Sequence, residues 1–315
     1  MGRSSDTIDG KAVDTEWVVS RYESIRHWLP KAAFSAHTPT PAANLLAVAD
    51  AFDVFLLDAF GVLNVGEEPI TSAPPAVAAL QAMGKTVFVL TNGATATARD
   101  AKEKYAHWGF DFSLDKVISS RDVLMQALAK EPRAMTWGVS APTHARIDEL
   151  PVNAIALDGH RETYDAVDGF ILLSTHSWPP ERQAHLEASL GGAPRPVFVG
   201  NPDIAAPRPD GFSLEPGHYA FILAEQGSCS PRLFGKPFDN AFDEVKRRLN
   251  EEGLGHIDAS RIAMVGDSLH TDILGGAAAG FKTILVTTHG LFKGAAPDHF
   301  MAECAIFPDF IVPTT

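Results

Sequence analysis

Short apolar runs alternate with helical patterns from residue 51 onward. Four runs stand out: residues 52–57 before Asp58, 86–91 before Asn92-Gly93, 261–265 before Gly266-Asp267, and 281–286. Helical patterns lie between or after them: residues 75–83, 238–249 and 269–279. Apolar runs alternating with helices are typical of a parallel sheet buried on both faces. The pattern therefore predicts an α/β, Rossmann-like fold, whose ligands bind at the carboxyl ends of the strands.

The segment from residue 133 to 232 carries a strand and helix pattern of its own. Its apolar runs cover residues 134–139, 169–173 and 196–199, and a helical pattern covers residues 180–190. About a hundred residues are enough for a small domain with its own core. We therefore predict a core domain formed by residues 51–132 and 233–315, with a smaller α/β cap domain, residues 133–232, inserted between its halves.

Residues 1–50 precede this alternating pattern and read as an N-terminal extension. One helix is predicted from Thr15 to Leu29, where Pro30 ends it. Residues 35–41 are rich in proline, threonine and alanine and are predicted to form a linker.

Composition narrows the class of protein. With 315 residues, 45% of them hydrophobic and 21% charged, the chain is an ordinary globular sequence long enough for two domains. No apolar run approaches the roughly 18 residues of a membrane span, and the polar N-terminus lacks the apolar core of a signal peptide. Two cysteines, Cys229 and Cys304, cannot build a disulfide framework and are expected to stay reduced. We expect a cytoplasmic protein without a membrane partner.

The charge balance adds a constraint on the ligand. A formal net charge of −13 opposes binding to nucleic acid, whose phosphates would be repelled by most of the surface. An anionic small substrate would need a local device, such as a metal ion, a lysine or a helix N-terminus.

Four motifs with chemical potential follow one another along the chain. They are Asp58-Ala59-Phe60-Gly61-Val62-Leu63, Val89-Leu90-Thr91-Asn92-Gly93, Gly235-Lys236-Pro237, and Val265-Gly266-Asp267-Ser268-Leu269-His270-Thr271-Asp272. Each is weak alone. Three of them at predicted strand ends, with a domain-sized insertion between the second and the third, form a specific combination.

This combination resembles the haloacid dehalogenase (HAD) superfamily of hydrolases, specifically its class IIA branch of nitrophenyl-phosphatase-like, pyridoxal-phosphatase-like and NagD-like enzymes. The position of the insertion matches the cap of that branch, and Asn201-Pro202-Asp203 matches its late cap. The resemblance covers about residues 52–286 and leaves residues 1–50 out.

The resemblance implies a role for each motif. Asp58 would be the nucleophile that forms an aspartyl-phosphate, which splits hydrolysis into two easier displacements. Two anions must then meet, so a Mg²⁺ ion is expected, because it prefers oxygen ligands. The implied ligands are the carboxylates of Asp58 and Asp267 and the backbone carbonyl of Phe60, with Asp272 close enough to orient the metal site.

Further residues are expected around the phosphoryl group. Thr91 would donate its hydroxyl, and the backbone amides at Asn92 and Gly93 would begin a helix that faces the phosphate. Lys236 would supply a fixed positive charge. Asn201 and Asp203 either line the substrate pocket or only form a turn between cap and core. Elsewhere, we expect His270 to be an exposed polar residue and Cys229 a buried, inert thiol.

Position 60 departs from the family pattern. Phosphatases of this superfamily usually carry there a second aspartate, which protonates the leaving alcohol, whereas this chain has Phe60. General acid–base catalysis contributes about 10²–10⁴-fold. Three explanations stay open: a cap residue supplies the proton, the leaving group needs none, or the protein binds a phosphorylated ligand with little turnover.

The sequence therefore favours a Mg²⁺-dependent phosphatase of a small phosphorylated metabolite, of the sugar phosphate or aryl phosphate class. A binding or regulatory module that keeps the metal and phosphate site is the alternative, and a homodimer stays open. Hydrolysis of C–P or C–halogen bonds is disfavoured. Residues 133–232 contain no lysine for a Schiff base, and dehalogenation would not need Asp267 and Asp272.

Overall fold

Two parallel β-sheets organise the chain in the computed structural model, which describes residues 6–8, 11–176, 178–208, 211–293 and 295–315. The larger sheet has seven strands, the smaller has five, and three two-stranded hairpins complete the strands of this part of the chain. In chain order the strands are β1 (Thr7–Ile8), β2 (Lys11–Ala12), β3 (Thr40–Pro41), β4 (Val54–Leu57), β5 (Asn64–Val65), β6 (Glu68–Pro69), β7 (Thr86–Thr91), β8 (Val117–Ser119), β9 (Thr136–Ser140), β10 (Asn153–Ala156), β11 (Gly169–Leu172), β12 (Val197–Val199), β13 (Ala205–Arg208), β14 (Gly211–Leu214), β15 (Arg232–Leu233), β16 (Ile262–Gly266), β17 (Lys282–Val286) and β18 (Phe310–Val312).

Helices flank both sheets. The α-helices are α1 (Thr15–Ser24), α2 (Ala73–Ala82), α3 (Ala98–His107), α4 (Ser120–Leu128), α5 (Arg161–Asp165), α6 (Pro180–Gly192), α7 (Pro216–Glu225), α8 (Asp239–Glu251), α9 (Leu274–Ala278) and α10 (Asp298–Cys304). Short 3-10 turns cover Arg26–Trp28, Leu45–Ala51, Leu114–Lys116, Thr143–Ala145, Ile147–Glu149 and Ala259–Arg261, and a π turn covers Leu269–Ile273. Within the described ranges no helix is long and apolar enough to cross a bilayer.

The seven-stranded sheet has the strand order β3-β18-β17-β16-β4-β7-β8, and all its pairs are parallel. Successive side chains of a strand point to opposite faces, so each central strand feeds two apolar clusters. Phe55 and Leu57 of β4 pack into the cluster that holds α2 and α3 residues. Val54 and Leu56 pack with α8 on the other face. Burial on both faces explains why these strands read as continuous apolar runs.

The five-stranded sheet has the order β10-β9-β11-β12-β15 and is also parallel. All its strands come from residues 136–233, called the cap below. Its faces pack on α6 and α7 on one side and on α4 on the other. The predicted strand at 169–173 lies in this sheet and not in the larger one. The domain boundaries stay a prediction, which these separate sheets support; Leu233, placed by it in the core, pairs with Val199 of the cap sheet.

The predicted α/β fold with parallel sheets is confirmed, and the strands of the core lie where the apolar runs indicated. Three local predictions are wrong. Thr40 and Pro41, predicted as part of a linker, form the edge strand β3 beside β18, where proline is tolerated because one side of an edge strand needs no partner. The helix predicted to reach Leu29 ends at Ser24 and tightens into a 3-10 turn. The helix predicted from Leu269 begins as a π turn.

Helix α1 packs between the core and the cap. Its apolar face, which includes Val18 and Tyr22, joins one cluster with Ile204 and Phe221 of the cap and Leu291 of the core. Helix α1 is therefore part of the packed interior.

Candidate active site

Three central strands of the core sheet end at one edge, and each delivers a polar side chain there. Strands β16, β4 and β7 are direct neighbours. Asp58 follows β4, Thr91 is the last residue of β7, and Asp267 follows β16. The amide of Asp58 donates to the carbonyl of Val265 at 2.9 Å, which keeps the ends of β4 and β16 level. The structure thus brings together the side chains that the sequence placed at separate strand ends.

A carboxylate cluster forms at this edge. Oxygens of Asp58, Asp267 and Asp272 all lie within 4.8 Å of one another. The Nζ atom of Lys236 lies between two of them, 2.6 Å from Oδ1 of Asp58 and 2.7 Å from Oδ1 of Asp272. Oδ1 of Asp58 also accepts from the amide of Ala59 at 2.7 Å, which leaves Oδ2 for a further ligand.

Three carboxylates and one ammonium group in a buried space perturb one another. Burial raises the pKa of Asp58 to about 7, with Lys236 opposing the rise and the negative charge of Asp272 adding to it. Burial also holds the pKa of Asp267 well above its ordinary value, and the charges of Asp272 and Asp58 raise it further. Burial lowers the pKa of Lys236, but the two aspartates outweigh this and raise it overall. The site is short of positive charge.

Two glycines let the backbone approach these carboxylates. A Cβ atom on Gly266 would lie 2.0 Å from Cγ of Asp272, and one on Gly290 would lie 1.9 Å from Oδ2 of Asp267. The amide of Leu291 donates to that Oδ2 at 2.6 Å, and the amide of Ser268 donates to Oδ2 of Asp272 at 3.1 Å. The wide π turn carries Asp272 back toward the strand end. Only glycine fits at the two approach points.

The two polar side chains of the second motif, Thr91 and Asn92, have different hydrogen-bond partners. The hydroxyl oxygen of Thr91 accepts from the amide of Gly93 at 3.2 Å, so its proton is available to a substrate. The side chain of Asn92 donates to Oδ1 of Asp203 at 2.7 Å and to the carbonyl of Lys236 at 2.8 Å. Its oxygen accepts from the Lys236 amide at 2.7 Å and from the hydroxyl of Ser120 at 3.0 Å. That side chain is a link between cap and core, which leaves its backbone for a substrate.

The prediction that a helix begins at Asn92 is wrong. Helix α3 begins at Ala98, because Thr97 and Asp100 form a reciprocal capping box there. The intervening residues form a loop. Substrate contact by the amides of Asn92 and Gly93 stays a prediction, without help from a helix dipole.

Asn201 and Asp203 form a turn and also line a cavity, and their contact with a substrate stays a prediction. Oδ1 of Asn201 accepts from the amide of Asp203 at 3.0 Å, which forms a tight turn, and both residues line the cavity. Burial raises the pKa of Asp203 to about 8, against the hydrogen bond from Asn92, which lowers it. A carboxyl group with this pKa carries a proton at neutral pH.

Phe60 lies partly buried against the core cluster and lines the same cavity. The guanidinium group of Arg208, from the cap hairpin β13–β14, lies 5.4 Å from the centre of its ring. Nη2 of Arg208 is also 3.1 Å from Oε1 of Glu215. The ring of Phe60 therefore lies next to a positively charged side chain of the cap.

A cavity of about 720 Å³ joins these groups between core and cap. Its lining includes two residues that were not identified from the sequence as site residues, Val18 and Tyr22 of α1. A signal for them exists, because Val18, Tyr22, Ile25 and Leu29 repeat at helical spacing and form one apolar face. That spacing indicates burial, but it does not identify the surface that the helix covers.

His270 is buried, which contradicts the expectation of an exposed residue. It is 0% exposed, its ring stacks on Tyr22 with centroids 4.9 Å apart, and its Nε2 lies 2.6 Å from Oε1 of Glu23. Its partners come from α1, which is distant in sequence. The two cysteines are free thiols, but Cys229 is only half-buried.

The sequence matches two models of one family of hydrolases. Residues 55–147 match a model described as haloacid dehalogenase-like hydrolase, and residues 233–314 match one described as HAD-hydrolase-like. Together the two matches cover more than half of the chain and include all four motifs.

Named relatives and solved structures agree with the family models. The chain is 26% identical to an acid sugar phosphatase of Staphylococcus aureus over 75% of this chain and 87% of the relative. It is 27% identical to the human glycerol-3-phosphate phosphatase over 82% of this chain and 88% of the relative. A crystal structure of a possible sugar phosphatase from Cytophaga hutchinsonii superimposes with a TM-score of 0.74 at 20% identity, covering 90% of this chain and 98% of that one. The chain therefore belongs to the haloacid dehalogenase-like hydrolases, and among them to the class IIA branch.

Proposed function

We propose that the protein is a phosphatase of small phosphorylated metabolites that uses Asp58 as nucleophile and Mg²⁺ as cofactor. The observation that supports this proposal is the cluster of Asp58, Asp267 and Asp272 around Lys236 at the strand ends, facing the cavity between core and cap. The names of the two curated relatives support a phosphoric monoester as the substrate class.

The donor set fits a hard divalent cation. Three carboxylates within 4.8 Å of one another offer only oxygen, and burial keeps the pKa values of Asp58 and Asp267 raised, as expected where positive charge is lacking. Asp58, Asp267 and the carbonyl of Phe60 would hold the ion. Asp272 would orient the groups around it. When bound, Mg²⁺ would neutralise negative charge on the phosphoryl oxygens and the nucleophile.

The residues of the chain divide the remaining work. Oδ2 of Asp58 attacks phosphorus, and the bond from phosphorus to the ester oxygen breaks, which leaves an aspartyl-phosphate and the alcohol. Nζ of Lys236, 2.6 Å from Oδ1 of Asp58, balances the charge of nucleophile and phosphate. The hydroxyl of Thr91 donates to a phosphoryl oxygen. Water then attacks phosphorus, and the bond from phosphorus to Oδ2 of Asp58 breaks, which releases inorganic phosphate and regenerates the Asp58 carboxylate.

The leaving oxygen needs a proton, and Phe60 cannot give one. We propose Asp203 as the donor. It lines the cavity, its Oδ1 accepts from Asn92 at 2.7 Å, and the raised pKa of about 8 keeps a proton on its carboxyl group at neutral pH. After departure of the alcohol the same carboxylate can accept a proton from the attacking water. This develops the first of the three explanations for Phe60.

Hydrolysis of p-nitrophenyl phosphate tests the proposed function. We expect turnover with Mg²⁺, none in excess EDTA, and recovery when Mg²⁺ is restored. Asp58→Asn should reduce kcat by at least about a thousandfold, because it removes the nucleophile. Asp53→Asn is the matched control: Asp53 precedes the same strand at its other end and pairs with Arg261, so its loss should leave kcat unchanged. Full turnover in EDTA would contradict the metal assignment.

The same experiment separates the alternative, a binding module without turnover, which the phenyl ring at position 60 favours. Such a protein would bind inorganic phosphate in a Mg²⁺-dependent manner in calorimetry, but would release no p-nitrophenol. Phosphatase activity that disappears with Asp58→Asn would exclude it.

A further inference from the structure

We infer that helix α1 of the N-terminal segment is part of the active site: Val18 and Tyr22 form the wall of the substrate cavity beside the leaving group, and they limit its size. The inference rests on the proposed function, because it concerns the substrate of the same site. Both family models leave this segment out, since the first match begins at residue 55 and the second at residue 233.

On the core side, α1 is tied to the carboxylate cluster. The hydroxyl of Thr15 donates to the carbonyl of Leu291 at 2.8 Å, and the amide of Leu291 donates to Oδ2 of Asp267 at 2.6 Å. The ring of Tyr22 lies parallel to that of His270, at an interplanar angle of 4°. His270 belongs to the π turn that carries Asp272. The helix thus contacts the backbone segments on both sides of the site.

On the cap side, α1 contacts the segment that carries Asp203. The hydroxyl oxygen of Tyr22 accepts from the amide of Ile204 at 3.1 Å, one residue after Asp203. Arg21 forms a two-point ion pair with Glu225 of α7, at 2.6 and 2.8 Å. Tyr22 is therefore fixed between the π turn of the core and the turn that holds the proposed proton donor.

The position of Val18 and Tyr22 determines which part of the substrate they can contact. Asp203 must face the leaving oxygen if it donates the proton, so the residues packed beside it border the leaving group. Val18 and Tyr22 are the α1 residues that line the cavity. Val18 and Tyr22 are buried in one apolar cluster with core and cap residues. They cannot move away from a larger substrate without a loss of packing. A leaving group that extends toward α1 meets a fixed surface.

Neighbouring valines provide the matched test. Val18 and Val19 are each 1% exposed and share the apolar cluster, but only Val18 of the two lines the cavity. The probes are phenyl phosphate and 1-naphthyl phosphate, whose leaving groups have similar acidity and different size. We expect Val18→Ala to raise the ratio of kcat/KM for the naphthyl over the phenyl ester by about tenfold, since a pocket discriminates by at least that much per methylene. Val19→Ala should leave the ratio unchanged while lowering stability to a similar extent.

Substitutions of Tyr22 give an independent measurement. Tyr22→Leu shortens the wall and should raise the ratio as Val18→Ala does, whereas Tyr22→Phe keeps the ring and should leave the ratio close to that of the wild type. Equal ratios in all four variants and the wild type, with phosphatase activity present, would overturn the inference and leave the proposed function standing.

Binding of phenylphosphonate and 1-naphthylphosphonate, which are not hydrolysed, provides the same comparison by calorimetry without turnover. If the wild type hydrolyses no ester, the proposed function fails, and the ratio of the two dissociation constants still decides the role of the wall. A ratio that changes in Val18→Ala but not in Val19→Ala supports the inference. A ratio unchanged in both, or no phosphonate binding by the wild type, overturns it.

Discussion

At the scale of single residues, Phe60 is the feature that most affects the chemistry. Its ring packs on the core cluster and faces the guanidinium group of Arg208, 5.4 Å away. Cation–aromatic pairs of this kind contribute on the order of 0.5–1 kcal/mol at exposed sites and more when buried. The ring thus contacts the cap hairpin at the position where phosphatases of this superfamily usually carry a second aspartate, while Asp203 of the cap lines the same cavity.

With Asp203 as the proton donor, Phe60→Asp is expected to change the turnover of alkyl phosphates little, whereas a rise of about 10²–10⁴-fold would show that the wild type lacks a donor. Arg208 also works against a rise, because it would pair with the new aspartate and keep it ionised. The measurement is kcat for glycerol phosphate and for p-nitrophenyl phosphate in wild type and variant. If the wild type already cleaves both at similar rates, limited by chemistry, another proton donor is present.

Asp203→Asn tests that donor. The amide cannot transfer a proton, so kcat for glycerol phosphate should fall about 10²-fold or more, while p-nitrophenyl phosphate, whose leaving group needs no proton, should change little. Asn201→Ala is the comparison, since Asn201 belongs to the same turn and carries no acid. An equal loss on both substrates would indicate misplacement of the cap, and no loss would exclude Asp203 as the donor.

At the scale of elements, the contact between α1 and α7 carries a titratable group. His218 of α7 is buried beside Trp17, with ring centroids 5.5 Å apart. Burial lowers the pKa of His218 to about 4, and the positive charge of Arg21 contributes, against Glu225, which raises it. The folded protein therefore keeps this imidazole neutral where the unfolded chain would protonate it.

The sign of the pH effect follows from that difference. The stability due to His218 is fully present above its ordinary pKa of about 6.5 and is lost as the pH falls toward 4, because the unfolded chain binds the proton first. At about 1.4 kcal/mol for each pKa unit, the loss amounts to about 3 kcal/mol at most. Urea unfolding at pH 7.5 and pH 4.5 should show a smaller decrease in His218→Phe than in the wild type. Equal decreases would contradict the assignment.

The elements also show what a sequence can predict about such a site. The sequence predicts Asp58, Thr91 and Asp267 as site residues because each lies at the end of an apolar run, and parallel strands bring their carboxyl ends to one edge. The spacing of apolar residues along α1 also signals burial, but the partners of that face, Ile204 and Leu291, lie far away in the sequence. His270 was misjudged for the same reason, because it is buried by Tyr22 and Glu23. Local pattern predicts elements, whereas burial by distant segments requires the structure.

At the scale of the whole molecule, two parallel sheets from different parts of the chain meet over one acidic centre. The chain carries a formal net charge of −13, and three of its carboxylates converge within 4.8 Å. Lys236 compensates only part of their charge. Folding without a cation therefore works against electrostatic repulsion at the centre of the interface.

Mg²⁺ should accordingly stabilise the fold. At a concentration 100 times its Kd, a ligand that binds only the folded state adds about 2.7 kcal/mol. The melting temperature should rise with Mg²⁺ and fall back with EDTA. Asp267→Asn should melt at the wild-type temperature or above it without metal, since it relieves repulsion and can still accept from Leu291, and it should lose the response to Mg²⁺. An unaltered response in this variant would remove Asp267 from the metal site.

The link made by Asn92 has a consequence for the chemical lifetime of the protein. Asn92 is followed by Gly93, the neighbour that least hinders attack of a backbone nitrogen on a side-chain amide, the reaction by which asparagine deamidates. Deamidation would replace the donor Nδ2 by an oxygen facing Oδ1 of Asp203 and the carbonyl of Lys236, so both hydrogen bonds that Nδ2 donates would be lost. In the intact site, the hydrogen bonds from Nδ2 of Asn92 fix its side-chain amide, and the hydrogen bond to Thr91 fixes the amide nitrogen of Gly93. The nitrogen is therefore held back from attack on the side chain. The hydrogen bonds by which Asn92 joins cap to core thereby also protect its side-chain amide from deamidation. These same bonds depend on that amide.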